Sequence, residues 1–340
     1  MKKLIVLVLL LAGCGYAGSQ GYDWLNQQVR TPMSARSQPV TLHIDEGESP
    51  DQLAQDLQAK GLIRNKDVFI YYLRYTGARS RLQAGDFVLD RNMSMAQITD
   101  ELQNSKPSQA AVQFPEGYTL QLMSQAAARA GLGSAAEYVA AANDKSWRYA
   151  FLGDRPAGRN LEGFLFPDTY RLAKSATARD LVKVQLDRFD QVFSPDLRAQ
   201  AGKSTAARPA VSMYDLIILA SMTEREVNKD PDRATVCGIY YNRLAQDMLL
   251  QVDATVLYGL GKWHENVTRP ETLQDTPYNT YEHKGLPPGP ISNPGLATIK
   301  ACLNPQKSSY LYYFTDPKGV THYAQTSDET LQQQQQYGVA

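Results

Sequence analysis

Two carboxyl groups at the end of an apolar helix are the feature of this sequence best suited to chemistry. Asp215 to Asn228 reads DLIILASMTEREVN, an apolar run, Leu216–Ala220, that leads into Glu224-Arg225-Glu226. A helix with so long an apolar lead is buried along most of its length and carries its last turn to the rim of a core. A carboxyl group beside apolar surface ionises less readily, so its pKa rises. A general acid working near neutral pH needs that property. Residues two apart do not share a helix face. Glu226 lies over Met222 and Thr223, with Leu219 two turns back, whereas Glu224 lies over Ala220 and Ser221. The register therefore favours Glu226 as the more apolar site. The plain alternative is that E-R-E forms a solvated face, as charged triplets on helices ordinarily do.

The elements around this helix come in a recognisable order. Val40–Ile44 alternates as a strand does. Ser49, with Pro50 and Gln52, opens a helix through Leu53 and Leu57 that ends at Gly61. Asn65 caps a second helix, Gly85–Leu89 reads as a second strand, and Ser94 opens a third helix. This βααβ plan over residues 40–104 looks like a LysM-type module, in which glycan binding stands level with plain structural packing or partner docking. After a linker at Asn104–Ser108, Val112–Thr119 repeats the strand, Glu-Gly turn and hydroxyl cap of Ile44–Ser49, and Leu120–Ala130 follows as a helix. Asn160–Tyr170 (NLEGFLFPDTY) reads as an ordered loop, Ala178–Phe193 as an amphipathic helix and Gly202–Pro209 as a surface loop. A helix at Arg233–Leu244, a late strand at Tyr310–Thr315 and a frayed helical tail at Gln332–Gln336 complete the reading. The fold class expected is α+β, a small module followed by a larger mixed α/β catalytic domain at 112–335.

Composition narrows the function. The chain has 340 residues, with 35 Lys plus Arg against 35 Asp plus Glu. Zero net charge leaves no electrostatic footprint for nucleic acid. Tyrosines number 20 against nine phenylalanines, and an aromatic face with a hydroxyl suits sugar clefts as well as protein interfaces. Cys14, Cys237 and Cys302 lack metal-ligand spacing, and the four histidines are scattered, so no metal and no cofactor are expected. Cys237 and Cys302 are expected as buried free thiols rather than as a pair. At the N-terminus, Lys2-Lys3 precede the apolar run Leu4–Ala12 and then Gly13-Cys14. Residues 1–18 thus read as an export signal with a lipobox-like end, and lipidation at Cys14 is expected. The run falls short of the ~20 apolar residues of a membrane span; the alternative is an uncleaved anchor extended through Ala17. Residues 19–39 read as a linker, and either anchor places the protein on the outer face of the cytoplasmic (inner) membrane.

Six segments taken together resemble the endolytic murein transglycosylase family of the MltG or YceG type: LEGFLFPDTY, ASMTERE, YNRL, LQVDATVLYG, PYNTY and KGLPPGPISNPG, in the family's order from Leu161 to Gly295. The anchor, the LysM-like module and the EGYTL turn extend the resemblance over nearly the whole chain. It implies that Glu226, the second glutamate of the E-x-E pair, is catalytic and that Glu224 supports it. It also implies that Asn242, Gln251, Asp253, Tyr278, Asn279 and Tyr281 lie around the cleft and bind substrate. The implied reaction cleaves the β-1,4 bond between N-acetylmuramic acid and N-acetylglucosamine in peptidoglycan glycan strands, leaving 1,6-anhydro ends. The implied partners are those strands and the wall-synthesis machinery, such as penicillin-binding proteins, with cleavage ending strand elongation. The chain departs from the family in its short apolar run and in Thr326–Thr330, which lacks the family's Glu-His pair. On residue grounds Asp253 is equally a substrate group or a cap on the turn before Thr255. The 278–281 segment reads as sugar-stacking or as a turn packed by its own aromatics, and Gly285–Ile291 as a rigid Pro-Gly wall. Competing functions are a hydrolase that pairs Glu226 with Asp253, and a non-enzymatic peptidoglycan-binding scaffold.

Overall fold

Alternation in the first strand shows how the chain begins to fold. The computed structural model describes residues 24–104, 109–227, 230–262 and 267–339. The export segment, Cys14 and the Ser105–Ser108 part of the linker therefore lie outside the described residues. In β1 (Pro39–Ile44) Leu42 and Ile44 point inward while Thr41 and His43 face out. β1 pairs antiparallel with β2 (Gly85–Asp90), Leu42 opposite Phe87. Between them run α1 (Pro50–Ala59) and α2 (Lys66–Thr76), and α3 (Met95–Asn104) follows. Ser49 caps α1 by accepting from the Gln52 N–H, and Asn65 caps α2 from Asp67 and Val68. Leu42, Leu57, Phe69, Leu89 and Ile98 share one core.

The chain divides into two compact units. The first holds the described residues before Ala111 together with Arg171–Ser175; the second holds Ala111–Tyr170 and the residues from Ala176 on. In the first unit the buried Asp86 carboxylate gathers the 171–175 segment. It accepts the Ser175 N–H and meets Nδ1 of His43 at 2.7 Å, while Ser175 Oγ lies 2.9 Å from the same nitrogen.

The chain enters the second unit within β3 (Gln109–Gln113), whose partner is β4 (Thr169–Ala173). α4 (Leu120–Arg129), α5 (Ala135–Asn143) and α6 (Ala178–Val192) pack in succession, and α7 (Pro195–Ala201) follows. α8 (Met213–Glu226) is capped by Ser212 and buried on all sides from Leu216 to Glu224, as its apolar lead requires. α9 (Asp230–Ala245), α10 (Asp253–Leu260) and α12 (Leu296–Leu303) pack on it, with the short α11 (Arg269–Thr272) beside α10. α9 starts three residues before Arg233 because Pro231, in the first turn, costs no helical hydrogen bond. β5 (Tyr312–Thr315) and β6 (Thr321–Ala324) form a hairpin with Phe314 opposite His322. The glutamine tail is a capped helix, α13 (Ser327–Tyr337), which starts at Thr326, ends at a left-handed Gly338 and rests on that hairpin.

The cysteine expectation is corrected here. Cys237 on α9 and Cys302 on α12 form a disulfide, their Cα atoms 5.2 Å apart. The separation of 65 residues hides the pair in sequence; the packing of α9 against α12 beside α8 creates it. The 202–209 loop also differs from a plain surface loop. Arg208 is buried and donates to the carbonyls of Leu303, Ala201 and Gln200.

Candidate active site

The end of α8 sends its two glutamates into different surroundings. Glu224 is buried, and its carboxylate is fully engaged. Arg233 Nη2 donates to Oε1 at 3.0 Å, while the Gly295 N–H and Thr298 hydroxyl donate to Oε2 at 2.9 and 2.6 Å. Glu224 thus fastens α8 to α9 and to the start of α12, with both of its oxygens engaged.

Glu226 is different. It is half-buried, and its Oε2 accepts from the Tyr313 hydroxyl at 2.9 Å. Its Oε1 receives only a long contact, 3.5 Å, from the Ala254 N–H at the start of α10. Burial pushes the Glu226 carboxyl up to about 7 and the charge of Asp253 adds to that push. The Tyr313 hydroxyl, the Ala254 N–H and Arg225 work in the opposite direction. The result is a carboxyl that holds a proton near neutrality on an oxygen with room for a new partner.

Of the residues expected around Glu226, Asp253 and Tyr281 are brought together with it. Asp253 is the first residue of α10 and accepts from the Tyr281 hydroxyl at 2.6 Å. Gln251 is exposed in the left-handed region, with φ at 52°. Its N–H is tied to the Thr280 carbonyl at 3.0 Å, and Arg243 donates to its side-chain oxygen. A left-handed non-glycine residue costs about 1–3 kcal/mol and persists where surrounding bonds hold it. Here Val252 N–H to Thr280 Oγ1, and Thr280 to Thr255, provide that hold.

The others are engaged in the framework. Asn279 is fully buried, donating to the Thr272 and Gln274 carbonyls and accepting from the Tyr281 N–H. Tyr278 packs its ring on Tyr258, 4.8 Å between centroids. Asn242 donates to the Ser308 and Tyr310 carbonyls, which braces the strand that carries Tyr313. Among the described residues no group of three or more His, Cys, Asp or Glu is placed to hold a metal ion.

Sequence reasoning missed a second hub, Glu162 in the 160–170 loop. It is buried, and burial pushes its carboxyl up to about 7 as well. Unlike Glu226, both of its oxygens are taken, by the Leu120 N–H, Asn293 Nδ2 and the Tyr258 hydroxyl. Asn293 in turn accepts from the Gly163 and Leu165 N–H groups at 2.8 and 3.0 Å, which lets this loop be buried without orphaned backbone. Gly163, at φ 91°, sits where a Cβ would lie within 2.7 Å of Ile217 and Pro290, so only glycine fits. The LEGFLFPDTY, EGYTL and ISNPG segments, distant in sequence, meet at this carboxylate. Tyr313 was missed as well: it lies 87 residues from Glu226, and no spacing rule connects the two.

Comparison with known proteins places the chain in a family. Residues 42–336 match the YceG-like family. A protein of Streptococcus pneumoniae serotype 2 (strain D39 / NCTC 7466), named endolytic murein transglycosylase, is 31% identical over 356 aligned positions, covering 96% of this chain and 62% of its own. A protein of the same name from Bacillus subtilis (strain 168) is 30% identical over 311 positions, covering 88% of this chain and 84% of its own. The chain thus spans about three fifths of the pneumococcal relative's length. The crystal structure of a YceG-like protein from Listeria monocytogenes superposes with a TM-score of 0.58 at 29% identity, over 88% of this chain and 100% of that one. The match extends through both units and includes every segment that surrounds Glu226, and so the chain belongs to the YceG-like family.

Proposed function

We propose that this chain is an endolytic murein transglycosylase in which Glu226 acts first as acid and then as base. One observation carries the reading: Glu226 is the half-buried carboxyl near pKa 7 that keeps an oxygen open, whereas both oxygens of Glu162 and of Glu224 are engaged. The names of the pneumococcal and Bacillus relatives support the same activity. Protonated Glu226 gives its proton to the glycosidic oxygen, and the bond from that oxygen to C1 of the muramic acid breaks. Positive charge grows at C1, and the nearby Asp253 carboxylate is suited to stabilise it. Glu226, now a carboxylate, takes the proton of the C6 hydroxyl as its oxygen closes on C1 to form the 1,6-anhydro ring. No water is consumed, and proximity replaces a second catalytic carboxylate because the nucleophile belongs to the substrate.

The position of Asp253 beside Glu226 also favours a second reading, a hydrolase with Asp253 as second carboxylate, which would leave reducing ends. The biological reading that follows from the first is cleavage of nascent strands beside the synthetic machinery by a membrane-anchored enzyme. The disulfide is in keeping with an exported protein. The test is endolytic shortening of un-crosslinked glycan strands, followed by size-exclusion chromatography. Glu226→Gln is expected to lower the rate by about a hundred- to ten-thousand-fold while strand binding is retained. Full activity in that variant would remove Glu226 from the chemistry, and binding without cleavage by the native chain would favour a scaffold.

A further inference from the structure

We propose that Tyr313 is a positioning residue of this site. Its hydroxyl, aimed by Tyr240, holds Oε2 of Glu226 so that the working proton is carried on Oε1. The proposal rests on the reading of Glu226 as the acid and base.

The direction of the bonds follows from counting protons. A phenol has one hydrogen to give. Tyr313 and Glu226 Oε2 are 2.9 Å apart, and an ionised carboxylate can only accept, so Tyr313 donates there. Its hydrogen is then spent, and the 3.0 Å contact with Tyr240 must be a bond that Tyr240 donates. Burial holds both phenols well above their ordinary pKa, so neither loses its proton in the working range. When Glu226 is protonated and the Tyr313 bond is kept, the hydrogen belongs on Oε1, the oxygen with only the long Ala254 contact. The Tyr313 hydrogen never leaves its oxygen, so the relay orients and is not consumed.

The surroundings show that this geometry is built. In the last turns of α9, three of four consecutive residues spend their polar groups on the 308–313 segment. Tyr240 meets Tyr313, Asn242 donates to the Ser308 and Tyr310 carbonyls, and Arg243 donates to the Leu311 carbonyl at 2.6 Å. The Arg243 guanidinium also lies 5.0 Å over the Tyr312 ring. The fourth, Tyr241, donates to the Cys302 carbonyl and ties the same helix to α12. The YNRL motif therefore fixes the strand that delivers Tyr313. The groups facing Glu226 are Arg225 on its own helix, Asp253 and the Ala254 N–H on α10, Tyr281 beside Asp253, and Tyr313 on β5. Tyr240 and, behind it, Arg243 come from α9.

Two measurements on the full chain test this. The first is a carbon-13 carboxyl NMR titration of glutamate-labelled protein, with the Glu226 signal identified by its loss in Glu226→Gln. The second is the pH dependence of kcat/KM for strand cleavage. Tyr313→Phe removes a donor to the carboxylate, so the Glu226 midpoint is expected to rise by about one pH unit, with the alkaline limb of the rate profile following it. Below that midpoint the rate falls on the order of tenfold as the carboxyl loses its orientation. Tyr240→Phe, which leaves the Tyr313 bond intact but unaimed, gives a smaller rise in the same direction and stands in if Tyr313→Phe does not fold. A midpoint that stays fixed or falls overturns the proposal. If instead Glu226→Gln cleaves as fast as the native chain, the functional reading fails, while the titration still scores the Tyr313 bond by itself.

Discussion

Glu226 and Glu224 are two residues apart, yet their chemistry separates completely, because each oxygen's partners decide what a carboxyl can do. The first prediction is a pH profile. With Glu226 as the proposed acid, cleavage needs its protonated form, so kcat/KM should hold below about pH 7 and fall tenfold per unit above it as Glu226 ionises. A second concerns stability. The folded-state pKa of Glu226 lies above its unfolded value, so its contribution to stability is fully present below the unfolded pKa and is lost as pH rises through about 7. Glu226→Gln never bears that charge and should melt later than the native chain at pH 8, by on the order of 1–3 kcal/mol. Glu224→Gln should do the reverse. It takes the charge from a buried carboxylate to which Arg233, the Gly295 N–H and the Thr298 hydroxyl all donate, and should cost about 3 kcal/mol in chemical denaturation, without moving the alkaline limb. That Glu226 rather than Glu224 keeps an oxygen with room for a new partner accords with the helix register, which set it over the more apolar positions. Its partners Tyr313 and the Ala254 N–H were not legible in the sequence, since they depend on how β5 and α10 are delivered to the end of α8.

At the scale of elements, apolar pattern and caps announced most helices, and the buried run of α8 behaves as its composition requires. The motifs announced which segments gather, but not which of their side chains work as framework: Asn242 and Asn279 turn their amides to backbone carbonyls. The disulfide was illegible because pairing depends on helix packing. It encloses 65 residues, and loop entropy alone gives about 4 kcal/mol. Replacing Cys237 and Cys302 by alanine should therefore lower unfolding stability by up to that amount, read by denaturant titration. In the first unit, the hydrogen bond to Asp86 raises the pKa of His43, with Asp45 adding to it. A raised histidine contributes stability that is fully present below its unfolded pKa and is lost as pH rises through the folded value. The melting difference between native and His43→Gln proteins should accordingly be largest at mildly acidic pH and close at alkaline pH.

For the whole molecule, strand and helix order led to the α+β class, while the division into three separate two-stranded sheets among the described residues could not be read from it. Strand pairing joins residues far apart in sequence, and alternation names a strand without naming its neighbour. β3 and β4, for example, are separated by α4, α5 and the buried 161–167 loop. The apolar Leu4–Ala12 run and Cys14 lead to the expectation that Cys14→Ser releases the protein from the membrane fraction, which cell fractionation would check.

The most direct test of the central claim is strand cleavage by the native chain in heavy-oxygen water, with products read by mass spectrometry. Intramolecular closure at C1, with Glu226 as acid and base, predicts fragments one water lighter than hydrolysis products, free of the label and absent from Glu226→Gln. Labelled reducing ends would contradict the account: water would be the nucleophile, and Asp253 would be the group that activates it or holds the intermediate.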